Sequence, residues 1–463
     1  MINSRKLQIT GLSMLSLVGS GCTDKNGSIE NGVRPNIVLF LADDIGAECF
    51  GCMGGVSYDT HIIDSLAEKS LFFPNMHAQP LSSPSRVQLM TGLYNDKNYV
   101  CLDYMNDDEP TFSQLAQQAG YTTGMFGKWQ LGRSREMPTR LGWDEWCLFQ
   151  LEVYKEFNGP TGTDRYANCM MDNHGHYEYS IYGPDGFESA AFEFLDKQKD
   201  SDKPFLLYYS TPLVHTPHTP TPDSESWDLD FAGRFQKDTA NFKDMVAYLD
   251  KKVGRMIDRL KRNGQWENTI FIFTSDNGTS TRIVSQMSDG TLRRGGKGDP
   301  RGIGTSVPLI ICWGDKLEPR ESQRLVDFPT FADAMRIAVP EEYGLDGVSL
   351  FPEIVGEKPL EKEISLMHYN PLWPVAAAPY ASRAARTTEW KYYWDGRFYN
   401  TKTDFMEEHP IDIDTCSNEI KTIYAKLKAK VEECPNFYPD MPGAPRRGNY
   451  GTFYDFAEPN NPF

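Results

Sequence analysis

The sequence has few positive charges for its length: 47 Lys and Arg against 64 Asp and Glu give a formal net charge of −17. It contains no basic stripe of the kind that a phosphate backbone requires, which argues against nucleic acid as a partner. An acidic chain can still bind an anion where a few cations converge at one pocket. It can equally hold a hard cation such as Ca²⁺, which prefers carboxylate and carbonyl oxygens.

Long apolar runs are also missing beyond the N-terminus, since no later segment approaches about 18 consecutive apolar residues. We therefore expect nothing else in the chain to span a membrane, and we find no internal repeats. Cys49 and Cys52 form a lone Cys-x-x-Cys with no second half. This pattern favours ordinary buried thiols over a zinc site, and the pairing of the other cysteines cannot be inferred from sequence.

The N-terminus has the composition of an export signal. Arg5 and Lys6 precede a short apolar stretch, Leu7–Val18, and small residues stand directly before Cys22. This pattern predicts a signal peptide of the lipoprotein type over residues 1–22 and a polar tether over residues 23–33. Cys22 is then the candidate point of lipid attachment, and the protein a periplasmic or outer-membrane-anchored lipoprotein of a Gram-negative bacterium. The alternative is an unstructured N-terminus on a cytosolic protein.

Apolar runs bounded by polar turns recur along the chain and predict strands buried on both faces. Amphipathic helical patterns lie between them. This alternation predicts an α/β fold, with a large, mainly parallel or mixed sheet sandwiched by helices, in a domain of residues 34–345. The predicted strands are residues 36–42, 122–127, 205–210, 269–275 and 307–313, and the longest helix has Phe242, Met245, Leu249, Val253, Met256 and Leu260 on one face.

The composition changes after about residue 345. Aromatic residues alternate around Asp395-Gly396, which is a strong hairpin signal. Apolar residues recur at helical spacing between Ile420 and Cys434. We predict a smaller α+β C-terminal subdomain over residues 346–463.

Polar residues gather at the carboxyl ends of the predicted strands, where open α/β sheets bind their ligands. Any single Asp at such a position is commonly a helix cap or a turn residue. Three carboxylates and an amide oxygen at two strand ends instead predict a hard-cation site. The residues of this cation site are Asp43 and Asp44 after the first strand and Asp276 and Asn277 after the fourth. The other polar residues at strand ends are Lys128 after the second strand and His215 after the third.

Six segments resemble motifs of the sulfatase family, relatives of alkaline phosphatase, in their order and rough spacing. The most specific begins at Ser82 and ends in Thr91-Gly92. The resemblance extends from Arg34 to about Pro308. It implies an alkaline-phosphatase-like fold and the hydrolysis of a sulfate ester. The segments are RPNIVLFLADDIG, SSPSRVQLMTG, GKWQLG, HTP, TSDNG and LRRGGKG.

In that family the first residue of the SSPSR element, here Ser82, is converted to formylglycine. A serine at this position resembles the type modified by a serine-type maturase in anaerobic bacteria. Hydrated formylglycine is a geminal diol: one hydroxyl attacks sulfur, and the other later helps to expel sulfate. By the same resemblance, one Ca²⁺ is bound by the modified Ser82 together with Asp43, Asp44, Asp276 and Asn277.

The resemblance also assigns roles to the cations of the site. Arg86 would steady the aldehyde hydrate, while Lys128 and Lys297 would bind the sulfate oxygens. His215 is the candidate acid for the leaving group, acting with Lys297. His218 could equally face the substrate. Taken singly, each of these residues could also be a surface cation or a turn residue.

Two segments depart from the family pattern. Gln130 stands in GKWQLG where the family usually has a histidine that contacts the formylglycine and assists sulfate elimination. Glutamine can hydrogen-bond to a substrate but cannot act as a base near neutral pH. The segment after Lys297, GDPRGIGTSVP, lacks the Glu-Gly-Gly and the arginine common in relatives.

Three functions follow as hypotheses. The first is a calcium-dependent, formylglycine-bearing sulfatase acting on a sulfated carbohydrate during glycan degradation. The second is a phosphoesterase or phosphonate hydrolase of the same superfamily, and the third is a degenerate sulfatase that binds glycans at the surface. The intact element around Ser82 and the two lysines favour the first, while Gln130 supports the third. By position, the pocket is expected to be lined by Trp129, Arg133, Arg294, His368, Trp373 and Arg383.

Overall fold

The computed structural model describes residues 34–101, 104–105, 109–132, 135–149, 165–227, 237–330, 332–359, 362–370 and 381–434, all within one compact unit. The predicted signal peptide, the tether and Cys22 lie outside the described residues, as do Arg133, Trp373 and the stretch from 435 to 463. No helix in the described part of the chain is both long and apolar enough to cross a membrane.

The strands and helices are numbered in chain order. The strands are β1 (Asn36–Ala42), β2 (Leu71–His77), β3 (Tyr99–Cys101), β4 (Tyr104–Met105), β5 (Thr122–Lys128), β6 (Glu145–Phe149), β7 (Ala167–Asn173), β8 (His176–Tyr182), β9 (Phe205–Ser210), β10 (Thr269–Ser275), β11 (Val284–Gln286), β12 (Leu292–Arg294), β13 (Ser306–Trp313), β14 (Arg320–Glu321), β15 (Pro329–Thr330), β16 (Val348–Ser349), β17 (Ser365–Tyr369), β18 (Ser382–Arg386), β19 (Trp390–Tyr393) and β20 (Phe398–Asn400). The helices are α1 (His61–Glu68), α2 (Ser82–Thr91), α3 (Asn95–Asn98), α4 (Phe112–Gln118), α5 (Met137–Arg140), α6 (Gly183–Lys197), α7 (Phe242–Arg262), α8 (Gly302–Thr305), α9 (Phe351–Ile354) and α10 (Asn418–Glu432).

The main sheet contains ten strands in the order β14-β2-β13-β10-β1-β9-β5-β6-β7-β8. Its centre is parallel, because β1 pairs in parallel with β10 and β9, and β5 with β9 and β6. The carboxyl ends of these strands therefore meet at one edge of the sheet, which we call the active-site edge. The mixed sheet confirms the predicted fold class.

The fifth predicted strand, β13, runs antiparallel to β10. A parallel return would need a long crossover connection. The chain instead leaves β10 at the active-site edge, forms the short β11–β12 hairpin and the single-turn helix α8, and enters β13 at the same edge. Because β13 begins at the edge where β10 ends, the two strands run in opposite directions.

Helices cover the sheet on one face through the apolar stripe that the sequence predicts. Phe242, Met245, Leu249, Val253, Met256 and Leu260 of α7 are all buried, in one cluster with Val38 and Phe40 of β1. On the other face, Ile37, Ile270 and Ile272 lie against Leu350, Phe351 and Ile354 of the α9 region. The central strands are consequently buried on both sides.

The C-terminal part forms a separate antiparallel sheet in the order β17-β18-β19-β20, against which α10 packs. Leu427 and Val431 are the buried residues of α10. Gly396, at the predicted hairpin, has the positive φ of 94° that such a tight turn requires. The predicted C-terminal α+β subdomain is confirmed, while its boundary at residue 345 stays a prediction.

Candidate active site

Side chains from β1, α2, β5 and the turn after β10 converge at the active-site edge around Ser82. Its Oγ lies 3.2 Å from Asp43 Oδ1 and 3.1 Å from Asn277 Oδ1, and Lys128 Nζ donates to it at 3.0 Å. The side chain is 5% exposed. A single hydroxyl is thus surrounded by two acceptor oxygens and one ammonium group.

Helix α2 sets the position of that hydroxyl. Ser82 is its first residue, and Gly92 ends it with a positive φ of 70°. Ser85 Oγ donates to the carbonyl oxygen of Asp276 at 2.5 Å, which ties the helix to the turn after β10. Ser82 therefore lies at the positive end of a helix dipole, an environment that favours a developing negative charge.

Arg86, one turn further along α2, is completely buried. Its Nε and Nη2 donate to Asp276 Oδ2 at 3.1 and 2.9 Å, and its Nη1 donates to Ser210 Oγ. The backbone N–H of Asp44 donates to the other oxygen, Asp276 Oδ1, at 3.1 Å. Arg86 therefore orients Asp276, a contact that the resemblance did not indicate for this arginine.

Asp44 and His215 form the more open side of the site with Lys297. Lys297 Nζ donates to Asp44 Oδ2 at 2.6 Å and lies 2.9 Å from His215 Nε2. His215 Nδ1 lies 2.5 Å from the carbonyl oxygen of Thr216, which assigns the imidazole proton to Nδ1. The Nε2 lone pair can then accept a hydrogen bond from the Lys297 ammonium.

Burial and neighbouring charges set opposite protonation tendencies in this cluster. Burial, opposed by Lys128, raises the pKa of Asp43 to about 7. Burial would also raise the pKa of Asp276, but the charges of Arg86 and Lys128 hold it at about 2. Burial lowers the pKa of Lys128 to about 8 although Asp43 opposes it. Burial thus leaves the Asp43 carboxylate poorly stabilised although Lys128 is paired with it.

The oxygen donors fit a hard divalent cation. Asp43, Asp44 and His215 each offer a ligand atom, and these atoms lie within 4.8 Å of one another. Asp43 Oδ2 is buried and has no hydrogen-bond partner among the described residues. Ser82 Oγ lies 3.2 Å from the other Asp43 oxygen and 3.1 Å from Asn277 Oδ1. Carboxylate, amide and hydroxyl oxygens form the ligand set that Ca²⁺ prefers.

Two site residues have left-handed backbone conformations. Asp44 has φ 60° and Gln130 has φ 56°, a region that costs a non-glycine residue about 1 kcal/mol or more and that clusters at functional sites. Gln130 Oε1 is buried without a partner among the described residues. His218 is likewise buried, its Nε2 unpaired within the described chain, and its ring packs edge-on against Phe242 at 5.1 Å.

The expected pocket-lining residues differ in burial and in their position in the fold. Trp129 is completely buried and so presents no ring surface to a ligand. Arg294 is exposed on β12, where its Nη1 donates to the carbonyl oxygen of Thr281 at 3.1 Å. His368 and Arg383 are buried partners on adjacent strands of the C-terminal sheet.

Three residues at this edge carry no motif and escaped the sequence analysis. Ser210 ends β9 and accepts from Arg86; its position at a strand end was the one available signal. Tyr166 OH donates to the carbonyl oxygen of His215 at 2.6 Å. Arg165, the preceding residue, is buried. For Arg165 and Tyr166 nothing in the local sequence indicates a place at the site.

Comparisons with known proteins agree with this geometry. The family model described as Sulfatase matches residues 35–337. The uncharacterized sulfatase YdeN of Escherichia coli (strain K12) is 30% identical over 339 residues, covering 67% of this chain and 58% of that protein. The chain thus spans less than two thirds of the length of YdeN. The N-acetylgalactosamine-6-sulfatase of Canis lupus familiaris is 27% identical, over 83% of this chain and 75% of that protein.

A solved structure shows the same fold over nearly the whole chain. The crystal structure of Ps i-CgsB in complex with k-i-k-neocarrahexaose superposes with a TM-score of 0.70 at 25% identity, covering 92% of this chain and 98% of that one. The family match includes the SSPSR element, the strand-end aspartates and both lysines of the site. The chain belongs to the sulfatase family.

Proposed function

We propose that this protein hydrolyses a sulfate ester on a glycan, with a nucleophile derived from Ser82. The observation that carries the proposal is the setting of the Ser82 hydroxyl: at the start of α2, between Asp43 and Asn277, and beside the Lys128 ammonium. The relatives support the substrate class, since one is named for sulfated N-acetylgalactosamine and a solved neighbour holds a neocarrahexaose.

Ser82 itself is too weak a nucleophile for this reaction, and no described histidine contacts its Oγ. We propose that it is converted to formylglycine by a serine-type maturase, which gives a geminal diol in water. The buried setting agrees with that chemistry, because Lys128 and the helix dipole of α2 both stabilise negative charge on the attacking oxygen.

We propose that one Ca²⁺ is held by Asp43, Asp44, Asp276 and Asn277 together with the modified Ser82. The ion would supply positive charge that acidifies the attacking hydroxyl and offsets the charge on the sulfate oxygens. Arg86 holds Asp276 in place for this purpose through its two hydrogen bonds.

Lys128 and Lys297 flank the site and would bind the sulfate oxygens. The leaving alkoxide also needs a proton. Burial and the charges of Arg165, Lys297 and Lys128 lower the pKa of His215 well below its usual value, which favours the neutral imidazole. We therefore propose that the Lys297–His215 pair acts as one acid, with Lys297 holding the proton and His215 orienting it at 2.9 Å.

The experiment is to express the chain with a serine-type maturase and to follow Ser82 by mass spectrometry. Modification removes two hydrogens from Ser82, and the modified protein with Ca²⁺ should release sulfate from a panel of sulfated mono- and disaccharides. Ser82→Ala should abolish the release, whereas Ser83→Ala, at the neighbouring position, should retain the modification and most of the activity.

Two outcomes would contradict the proposal. Faster cleavage of phosphodiesters or phosphonates than of sulfate esters would indicate a phosphoesterase of the same superfamily. Binding of sulfated glycans without any release by fully modified protein would indicate a degenerate, glycan-binding member, the function that Gln130 favours.

We further propose that the chain is exported and anchored through Cys22 as a lipoprotein. The support is the N-terminal sequence pattern alone. Mass spectrometry of the mature N-terminus from a Gram-negative host would reveal a lipidated cysteine, and an intact Met1 would contradict export.

A further inference from the structure

Arg165 is a buried cation beside the active site that no described residue neutralises. The residue is 9% exposed, and its Nε and Nη1 have no hydrogen-bond partner among the described residues. The other three cations of the site each form an ion pair with an aspartate. Leaving a buried charge without a partner costs several kcal/mol. A side chain held in this state is suited to meeting an anion that arrives with a ligand.

The sheet places this guanidinium next to the site but to one side of it. Arg165 precedes β7, and its Cζ lies 5.6 Å from the ring centroid of Phe149 at the end of β6. Phe149 is the register partner of Lys128. Adjacent strands are about 4.8 Å apart, so Arg165 lies at least one strand further from Asp276 and β10 than Lys128 does.

The segment that carries Arg165 is hydrogen-bonded to the loop after β9, which contains His215. Tyr166 is fully buried, and its hydroxyl donates to the carbonyl oxygens of Pro212 and His215 at 2.8 and 2.6 Å. The charge of Arg165 also reaches the imidazole: after burial, it is the largest influence that lowers the pKa of His215. The guanidinium is therefore held near His215 and is not a remote surface group.

We propose that Arg165 binds a second anionic group on the substrate sugar, a carboxylate or a second sulfate, beside the ester that is cleaved. This inference rests on the proposed sulfatase function. The planar guanidinium presents paired N–H donors that match both oxyanions, and its lateral position suits a neighbouring substituent better than the ester already bracketed by Lys128 and Lys297.

The test compares three substrates: the best monosulfated sugar from the panel, the same sugar with a second sulfate, and the same sugar linked to a uronic acid. The parent enzyme should have the higher kcat/KM for one of the two doubly anionic substrates. Arg165→Gln should lower kcat/KM for that substrate about 10- to 100-fold, mainly through KM, because a charge-assisted hydrogen bond contributes about 1.5–3 kcal/mol. The KM for the monosulfated sugar should change less than about twofold, and any change in kcat that arises through the pKa of His215 should be the same for all three substrates.

Arg262→Gln is the matched control, since Arg262 is an exposed arginine at the end of α7; it should leave all three substrates unchanged. Arg165→Lys should retain part of the preference, and thermal melting of both Arg165 variants separates misfolding from lost recognition. Calorimetric binding of the same sugars measures the preference without turnover. The anion is a sulfate if the preference is for the sugar with a second sulfate, and a carboxylate if it is for the sugar linked to a uronic acid.

An equal rise in KM for the monosulfated and doubly anionic sugars would overturn the inference, because Arg165 would then contact the cleaved sulfate and not a second anion. A parent enzyme without preference for a second anion, in both kinetics and binding, would overturn it as well. Absence of sulfate release from every substrate by fully modified parent protein would instead contradict the proposed function.

Discussion

Gln130 is the residue at which this site differs most from its family in chemistry. It follows Lys128 at the end of β5, and its Oε1 is buried without a partner among the described residues. An amide can orient a hydroxyl of the hydrate but cannot take its proton near neutral pH. The step that expels sulfate therefore has to use another group or proceed without general-base assistance.

We expect Gln130→His to raise kcat about tenfold or more, because general-base assistance contributes about 100-fold or more where the base is well placed. The φ of 56° at this position is tolerated by histidine. Gln130→Ala is the control and should not raise kcat. The measurement is kcat on the best sugar sulfate, with the modified fraction of Ser82 determined for each variant. An unchanged kcat in fully modified Gln130→His would show that the proton already has another acceptor.

At the residue scale, the sequence predicts which site residues lie close together but not which side chains contact each other. Asp43, Asp44, Asp276 and Lys128 could be placed together because each stands at a strand end of a parallel sheet. Their partners could not be predicted: Arg86 contacts Asp276, and the Lys297 ammonium contacts Asp44. Such contacts depend on rotamers and distances within the folded cluster, which no linear spacing encodes.

The loop that carries Lys297 is held from outside by the C-terminal sheet. Lys391 of β19 donates to the carbonyl oxygen of Pro300 at 2.6 Å and to Glu407 Oε1 at 3.0 Å. Glu407 in turn accepts from the backbone N–H of Gly302 at 2.9 Å and from the Tyr393 hydroxyl. These buried contacts fix the backbone a few residues beyond Lys297.

We expect Glu407→Gln to lower the free energy of unfolding by about 2–3 kcal/mol and to reduce kcat more than it raises KM. Breaking a buried ion pair costs roughly 3–5 kcal/mol. The expected loss is smaller because Lys391 can lose its proton: burial already lowers its pKa to about 8. The measurements are denaturant unfolding and steady-state kinetics, with Glu408→Gln, at the exposed neighbouring position, as the control. A stability loss with unchanged kcat would show that the contacts of Glu407 have a structural role only.

The elements were predictable where the apolar pattern is strong. The runs at 36–42, 205–210 and 269–275 coincide with β1, β9 and β10, because strands buried on both faces must be continuously apolar. β2 was not predicted: it contains Pro74 and ends in polar residues. β8 was not predicted either, because at the edge of the sheet it is largely exposed and needs no apolar run.

At the scale of the whole molecule, the active-site edge concentrates three buried aspartates in a chain that already has a net charge of −17. Arg86, Lys128 and Lys297 balance them one for one. Burial nevertheless raises the pKa of Asp43, so the carboxylate of Asp43 is poorly stabilised despite this balance. A bound cation would relieve that cost in the native state only, because the unfolded chain does not assemble the site. Binding and folding should therefore be linked.

We expect Ca²⁺ to stabilise the modified protein by about 2.7 kcal/mol when free Ca²⁺ is about a hundredfold above its Kd. A chelator should remove this gain and shift thermal unfolding downward. Asp44→Asn should lose most of the shift, because Asp44 contributes a ligand atom to the cluster with Asp43 and His215. Asp258→Asn, on the exposed surface of α7, should keep it in full. A calcium response of equal size in Asp44→Asn and the parent would place the ion elsewhere. The absence of any response in the parent would contradict a calcium site.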